Sequence, residues 1–310
     1  VRRQRQMCIR DSQYGVPEFL NKRDAFLFKM YQAFGHHFDF IAIPIIKKRL
    51  RMDTSQVIIN EERPQLTKHL ATRFKEKIGQ NVNLLGEVVL GNEEADHRYH
   101  HYLEALESPD INYISVKISG IYAQTHALNY EESFPELVSR MSALYQKAID
   151  FPYTDEDGIK RSKFINLDME EYKDAHFTLR LFKAVLNLPQ FKNYSAGIVV
   201  QAYLPDAYDF QTELLEFAKA RVDGGGAPIK MRLVKGCNLE METVISSLKG
   251  WPNPIRPSKT EVDANYLCLL ERGLMPENAR VLHLGVASHN LFSICLLYTS
   301  PSPRDYAASR

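Results

Sequence analysis

The chain has 310 residues, 45% of them hydrophobic and 25% charged. This ordinary globular mixture excludes disorder over most of the length and supplies enough apolar side chain for a sizeable core. Lys and Arg total 39 against 38 Asp and Glu, a formal net charge of +1, so there is no electrostatic case for nucleic acid as the main partner. The longest apolar stretch, Phe38 to Ile46, is too short to span a bilayer and is interrupted by Pro44. The opening VRRQRQMCIRDS has basic residues with no apolar stretch behind them, so it is not a secretory signal. Cys8, Cys237, Cys268 and Cys295 show no paired spacing. The default is a reduced, cytoplasmic compartment without a disulfide or zinc framework.

The two ends differ in texture from the middle. CLLYTSPSPRDYAASR has neither helical nor strand period, and MCIRDS and LLYTSPSPRD resemble translated sequencing-adapter read-through. Residues 1–12 and 295–310 are therefore set aside as artefact-like tails. On that expectation the natural protein continues past Ile294, and Cys8 and Cys295 carry no meaning. The alternative is a natural disordered tail.

Residues 13–80 read as an N-terminal helical arm. Ala25 to Phe34 is rich in Phe, Met and Ala. In the next helix Pro64 sits at the start, Leu66, Leu70, Phe74 and Ile78 repeat every four residues, and Gly79 marks the end. From Asn81 to about 294 the pattern alternates. NVNLLGEVVLG is a strand, and Asn92 caps a helix with a stripe of Ala95, Tyr99, Tyr102, Leu103 and Leu106. Strand Ile111–Ser119 precedes a helix carrying Leu137, Met141, Leu144, Tyr145 and Ala148. Strand Lys163–Asp168 precedes one with Leu181, Phe182, Val185 and Leu186. Strand Gly197–Tyr203 leads to a helix capped by Asp206 and containing Leu214, Leu215 and Ala218. Strand Pro228–Gly236 leads to Val262, Tyr266, Leu269 and Leu270, and strand Arg280–Ser288 closes the series.

Short apolar runs, rather than strict alternation, indicate strands buried on both faces of a parallel sheet. An open doubly wound sheet and a (βα)8 barrel both fit. Polar residues favour the barrel, because Glu87, Lys117, Asp168, Gln201, Arg232 with Lys235, and His289 with Asn290 sit at the C-terminal ends of strands. The expected fold is an α/β (βα)8 barrel, TIM-type, truncated after about six strands and preceded by the helical arm.

Several chemistries are excluded or weakened. No GxGxxG follows the first strand and no GxxxxGK[ST] occurs, and Gly224–Gly226 reads as a helix-to-strand turn. A barrel metal site would want His and carboxylate on the first strand, which NLLGE lacks, so no metal is expected. His97, His100 and His101 read as a solvated helix face. Lys117 and Lys235 each fit a desolvated Schiff-base lysine, an anion-holding cation, or a salt-bridged barrel lysine. Arg232–Gly236 joins two cations to a glycine that lets backbone approach a ligand, which suits a phosphate or an electron-rich ring.

The segments NVNLLGE, SVKIS, NLDMEE, VVQAYLPD, MRLVKGCNLEME, SKTEVDANY and GVASHNLF occur in this order over roughly residues 40–294. Together they resemble the proline dehydrogenase domain, a flavin-dependent (βα)8 barrel found alone or at the front of a bifunctional bacterial proline utilisation protein. The resemblance implies that FAD accepts a hydride from the ring carbon of L-proline next to nitrogen, giving 1-pyrroline-5-carboxylate, and that electrons then pass to a membrane quinone. It implies cofactor contacts at Asp168, Met169, Val199, Gln201, Arg232, Val234, Lys235, Gly236, Cys237, Asn238, Lys259, Asp263, Ser288, His289 and Asn290. It implies catalytic roles for Asp168, for Lys117 beside the substrate carboxylate, and for Glu87, which pairs with an arginine of the substrate gate. Peripheral contact with the inner membrane and a downstream aldehyde dehydrogenase domain are further implications.

Two departures stand out. Cys237 replaces the usual small Ala, which changes little if the contact is made by backbone. The last two strands, and the helix whose arginines clamp the proline carboxylate, are missing, forgoing charge-assisted bonds worth roughly 1.5–3 kcal/mol each. The 310-residue chain is therefore expected to be inactive and poorly soluble by itself. The rival expectations are a lysine Schiff-base lyase and a non-catalytic barrel fragment.

Overall fold

The computed structural model describes residues 22–34, 39–54, 59, 63–84, 89, 91–123, 125, 127–155 and 157–299. The expectations for residues 1–12, Cys8, Glu87 and the tail beyond Thr299 lie outside these. The chain forms two compact units, residues 1–69 and 70–310. The first contains helices α1 (Lys22–Phe34) and α2 (Asp39–Thr54), and α2 continues through Pro44. Helix α3 (Arg63–Lys75) begins at its end and continues into the second unit.

The α3 helix stops earlier than its apolar spacing predicts. Lys77 takes a left-handed φ of 59°. Its amide bonds Phe74 O at 3.0 Å, and the Ile78 amide bonds Arg73 O at 3.0 Å. These are the two hydrogen bonds of a Schellman cap, formed here by lysine rather than by the expected glycine. Leu70 is buried, whereas Phe74 and Ile78 stay exposed.

The second unit then alternates. In chain order come β1 (Val82–Asn83), α4 (Asn92–Glu107), β2 (Tyr113–Lys117), α5 (Ile118–Ile121) and α6 (Tyr130–Asp150). Next are β3 (Tyr153–Thr154), β4 (Lys160–Arg161), β5 (Phe164–Asp168), α7 (Ala175–Leu186), β6 (Gly197–Gln201) and α8 (Ala207–Asp223). The series ends with β7 (Ile229–Val234), α9 (Leu239–Lys249), α10 (Lys259–Leu274), α11 (Pro276–Ala279), β8 (Leu282–Val286) and α12 (Leu291–Thr299).

One six-stranded sheet has the order β1-β2-β5-β6-β7-β8, with every neighbouring pair parallel. Each strand thus lies beside the previous one of the sheet in chain order. A doubly wound sheet would reverse its order at a switch point. Right-handed crossovers that never reverse keep the helices on one side, which is how a barrel is wound. The two open readings of the sequence are resolved in favour of the barrel plan, with six strands in the parallel sheet among the described residues.

The helical stripes are buried as the spacing predicts. Leu137, Met141, Leu144, Tyr145 and Ala148 pack inward from α6, and Val262, Tyr266, Leu269 and Leu270 from α10. On β7 the alternation is clear, with Ile229, Met231 and Leu233 buried while Lys230, Arg232 and Val234 share the other, half-buried face. Arg221 of α8 ties the sheet's lower connections together. Its guanidinium donates to the carbonyls of Leu186, Phe191, Lys192, Tyr194 and Ala227.

Several boundaries differ from the sequence reading. Strand pairing ends at Lys117, after which the chain turns into α5, and β1 pairs over only two residues. Gly91, not Asn92, is the N-cap of α4. Asp206 does cap α8 by position, but its carboxylate accepts from the Tyr172 hydroxyl at 2.7 Å instead of a backbone amide. Strands β3 and β4 form an antiparallel hairpin without an apolar signature. Helix α12 crosses the expected tail boundary at residue 295. Asn290 Oδ1 accepts from the amides of Phe292 at 2.9 Å and Ser293 at 3.3 Å, a side-chain cap that starts the helix.

Candidate substrate and cofactor site

The strands of a parallel sheet carry their side chains at an interval of two. Ser115 and Lys117 therefore share a face of β2, and Asn166 and Asp168 a face of β5. Register places Lys117 opposite Asp168, Val199 opposite Arg232, and Gln201 opposite Val234. This brings residues distant in sequence to the C-terminal ends of adjacent strands.

Asp168 and Arg232 are the centre. The Arg232 guanidinium donates to Asp168 Oδ1, and its other nitrogen reaches Ser115 Oγ at 3.3 Å. Asn166 Nδ2 donates to the same carboxylate at 2.8 Å. Burial pushes the Asp168 carboxyl above its ordinary range, and Arg232, Asn166, Ser115 and Lys117 oppose that rise. Lys117 Nζ lies 2.9 Å from Glu170 Oε1.

A second group lies along β6, β7 and α10. Gln201 is buried, and its Nε2 donates to the carbonyls of Met169 at 2.8 Å and Glu170 at 3.0 Å. Its Oε1 has no hydrogen-bond partner among the described residues. Lys235 donates to Asp263 Oδ1 at 2.5 Å, and Lys259 to Asp263 Oδ2 at 2.6 Å. Both lysines draw the Asp263 carboxyl below its ordinary value. Lys235 also stands over the Tyr266 ring, 5.5 Å from its centroid. Gly236 has φ 136°, and the Tyr203 ring lies directly against it. Asn238 Nδ2 donates to Glu170 O at 3.0 Å. The exposed Cys237 thiol is raised by partial burial.

Met169 and Val199 are buried beside these groups. Ser288 Oγ accepts the Asn290 amide at 3.1 Å, and Asn290 caps α12. His289 is exposed. The structure thus joins Lys117, Asp168, Gln201 and Arg232 through hydrogen bonds or register, and groups Lys235, Lys259 and Asp263. It adds Glu170, Ser115, Asn166 and Tyr203, which the sequence reading passed over. The interval of two from Lys117 and Asp168 is the signal that marks Ser115, Asn166 and Glu170. No group of three or more His, Cys, Asp or Glu among the described residues is arranged to hold a metal.

A flavin ring offers both N–H donors and carbonyl acceptors. The residues present fit such a group. Gln201 holds a buried acceptor unpartnered among the described residues, and Arg232 and Lys235 supply fixed positive charge.

A parallel sheet wound in barrel order, with ion-paired side chains collected at one end, is the plan of a (βα)8-barrel enzyme. The sequence profile of the proline dehydrogenase family matches residues 66–307, and the chain belongs to that family. Among solved structures it is similar to proline utilization A from Corynebacterium freiburgense, with a TM-score of 0.74 and 38% identity over 91% of this chain and 28% of that one. It is also similar to proline utilization A from Bdellovibrio bacteriovorus inactivated by N-propargylglycine, with a TM-score of 0.64 and 31% identity over 75% of this chain and 25% of that one. A further match, to proline utilization A from Bradyrhizobium japonicum at 23% identity and a TM-score of 0.60, concerns the fold alone. The chain therefore spans about 28% of the length of the Corynebacterium protein. No curated protein matches it. No described helix is long and apolar enough to cross a membrane.

Proposed function

We propose that the chain carries the proline-oxidising site of a longer, FAD-dependent enzyme of proline catabolism. L-proline is oxidised to 1-pyrroline-5-carboxylate, and the electrons go on to a quinone. The observation that carries this reading is the Asp168–Arg232–Lys117 cluster beside the unpartnered Gln201 oxygen, in a chain of this family. FAD bound across these strand ends would supply the acceptor for the hydride leaving the ring carbon next to nitrogen.

The chain's own residues do the rest. Arg232, fixed by Asp168 and Ser115, holds a positive charge where a ligand gaining electrons becomes negative. Lys117 offers an ammonium to the substrate carboxylate. Asp168, at the strand end beside Lys117 and Arg232, is placed near substrate and cofactor, and burial raises its affinity for a proton. Gln201, Gly236 and Asn238 hold the cofactor by amide and backbone, with Met169, Val199, Val234 and Cys237 lining the cradle. Lys235 stands with Arg232 near the flavin, Lys259 and Asp263 serve the adenosine and phosphate end, and Ser288, His289 and Asn290 follow the sixth strand of the sheet. Glu87 is the partner for a gate arginine.

The Schiff-base reading has less support. Such a lysine needs a free amine to attack the substrate, yet Lys117 is held by the Glu170 carboxylate and Lys235 by that of Asp263. The strongly lowered lysine is Lys163, brought to about 8 by burial, and it sits before β5, away from the polar strand ends.

We further propose a cytoplasmic enzyme with peripheral contact to the inner membrane for quinone access, and an aldehyde dehydrogenase domain in the longer protein. We propose that the 310-residue chain is inactive on its own, since the sheet among the described residues has six strands and its first and last are not paired with each other. The test is L-proline-dependent reduction of a soluble quinone, with the product identified by mass. The longer enzyme should give 1-pyrroline-5-carboxylate and the 310-residue chain none. Flavin-free protein, or turnover by the short chain, would contradict the corresponding part.

A further inference from the structure

Glu170 has no role in the scheme above. Its carboxylate is held at two points, by Lys117 Nζ at 2.9 Å and by the Ser119 hydroxyl. Its backbone is held separately, since its carbonyl accepts from Gln201 Nε2 and Asn238 Nδ2, both at 3.0 Å. The main chain is thus pinned from β6 and from the loop after β7. The side chain, 25% exposed, has only Lys117 and Ser119 to keep it in place among the described residues. Asp168 faces the same ammonium from the neighbouring register, but Arg232 and Asn166 hold it.

The geometry points to Glu170 as an internal carboxylate that occupies Lys117 until the substrate's carboxylate displaces it. This inference rests on the proposed oxidation of L-proline. A lysine left bare in a half-buried site would bend toward any nearby acceptor. Glu170 keeps it aimed at the strand ends. When a ligand carboxylate arrives, two negative groups compete for one ammonium. The partial exposure of the pair makes release cheap, because an ion pair in contact with solvent contributes little. A fully buried pair would leave a stranded charge on separation. Glu170 can turn toward water while its pinned backbone leaves Gln201 and Asn238 undisturbed. It is a positioning residue that sets substrate affinity.

The test uses the FAD-loaded full-length enzyme, with calorimetric titration of acetate, a carboxylate that carries no oxidisable ring, and steady-state kinetics with L-proline. Glu170→Gln keeps the shape and an acceptor for Ser119 but removes the competing charge. Its Kd for acetate should fall about 2- to 5-fold, the worth of a partly exposed ion pair. KM should fall in step, with kcat within about twofold. Glu170→Asp withdraws the charge from Lys117 by one methylene, so Kd should shift the same way by less. It also serves if the glutamine variant does not fold. A Kd unchanged or raised in the folded variants would overturn the inference, since a merely structural pair would lower stability without tightening binding. Failure of the wild-type enzyme to oxidise L-proline would instead defeat the underlying reading, and the inference with it.

Discussion

Gly236→Ala is the sharpest perturbation the site offers. Gly236 has φ 136°, a region that L side chains rarely adopt. A Cβ added there would lie 2.4 Å from Tyr203 Cδ1 and 2.5 Å from Tyr203 Cγ. These are ring atoms, and the Tyr203 side chain is buried, so they have no free direction of escape. The backbone conformation costs of order 1–3 kcal/mol and the overpacking typically 1–3 kcal/mol, together about 2–6 kcal/mol. That is a large share of the ~5–15 kcal/mol that holds an average domain folded. Urea unfolding of wild type and variant, compared at equal slope, measures it. Gly79→Ala is the control, because its Cβ meets nothing within 4 Å. Replacing Tyr203 by Ala in the Gly236→Ala background should recover part of the loss, giving a double-mutant coupling of about 0.5–3 kcal/mol. A loss below about 0.5 kcal/mol for Gly236→Ala, within the ordinary range for surface changes, would refute the close approach of Tyr203.

Other outcomes follow from the same contacts. Burial raises the Asp168 carboxyl above its unfolded value, so the folded state holds that proton to higher pH. Its contribution to stability is present below the unfolded value and is lost as pH rises through the folded one; Asp168→Asn should flatten that segment of the stability–pH curve. Asp263 has the opposite sign, because Lys235 and Lys259 lower it. Its contribution is present above the unfolded value and fades as pH falls through the folded one, and Asp263→Asn should remove that acid-side loss. Arg221→Met removes the side-chain donor from the carbonyls of Leu186, Tyr194 and Ala227, while those of Phe191 and Lys192 keep a backbone amide donor, and should cost about 3 kcal/mol in urea unfolding. Gln201→Leu removes both the carbonyl anchor and the free oxygen, and should release FAD on gel filtration, whereas retained flavin would argue against the assigned cradle.

The barrel was legible because buried parallel strands read as short apolar runs and buried helix faces recur at a fixed interval. Val116, Leu167 and Val200 sit in such runs, and Leu137 to Ala148 form such a face; all are buried. Residues at strand ends were equally visible, which is how Lys117, Asp168, Gln201 and Arg232 were singled out. Their partners were not. Pairing Lys117 with Glu170, or Asp168 with Arg232, depends on the register between strands separated by dozens of residues, and periodicity along one strand carries no register. Local exceptions were also hidden. Lys77 ends α3 by accepting a left-handed conformation usually left to glycine, and the β3–β4 hairpin pairs polar residues with no apolar alternation. Asn290 starts a helix across a segment that has no helical stripe of its own, since one side-chain cap outweighs the weak pattern that follows.

The central claim is that these strand ends hold a flavin and oxidise proline. The direct measurement is the visible absorption spectrum of the full-length enzyme before and after anaerobic L-proline. The account predicts a flavin band that bleaches on addition of L-proline and returns when a quinone is supplied. A flavin band indifferent to proline would contradict the substrate, and a colourless, folded protein would contradict the site itself.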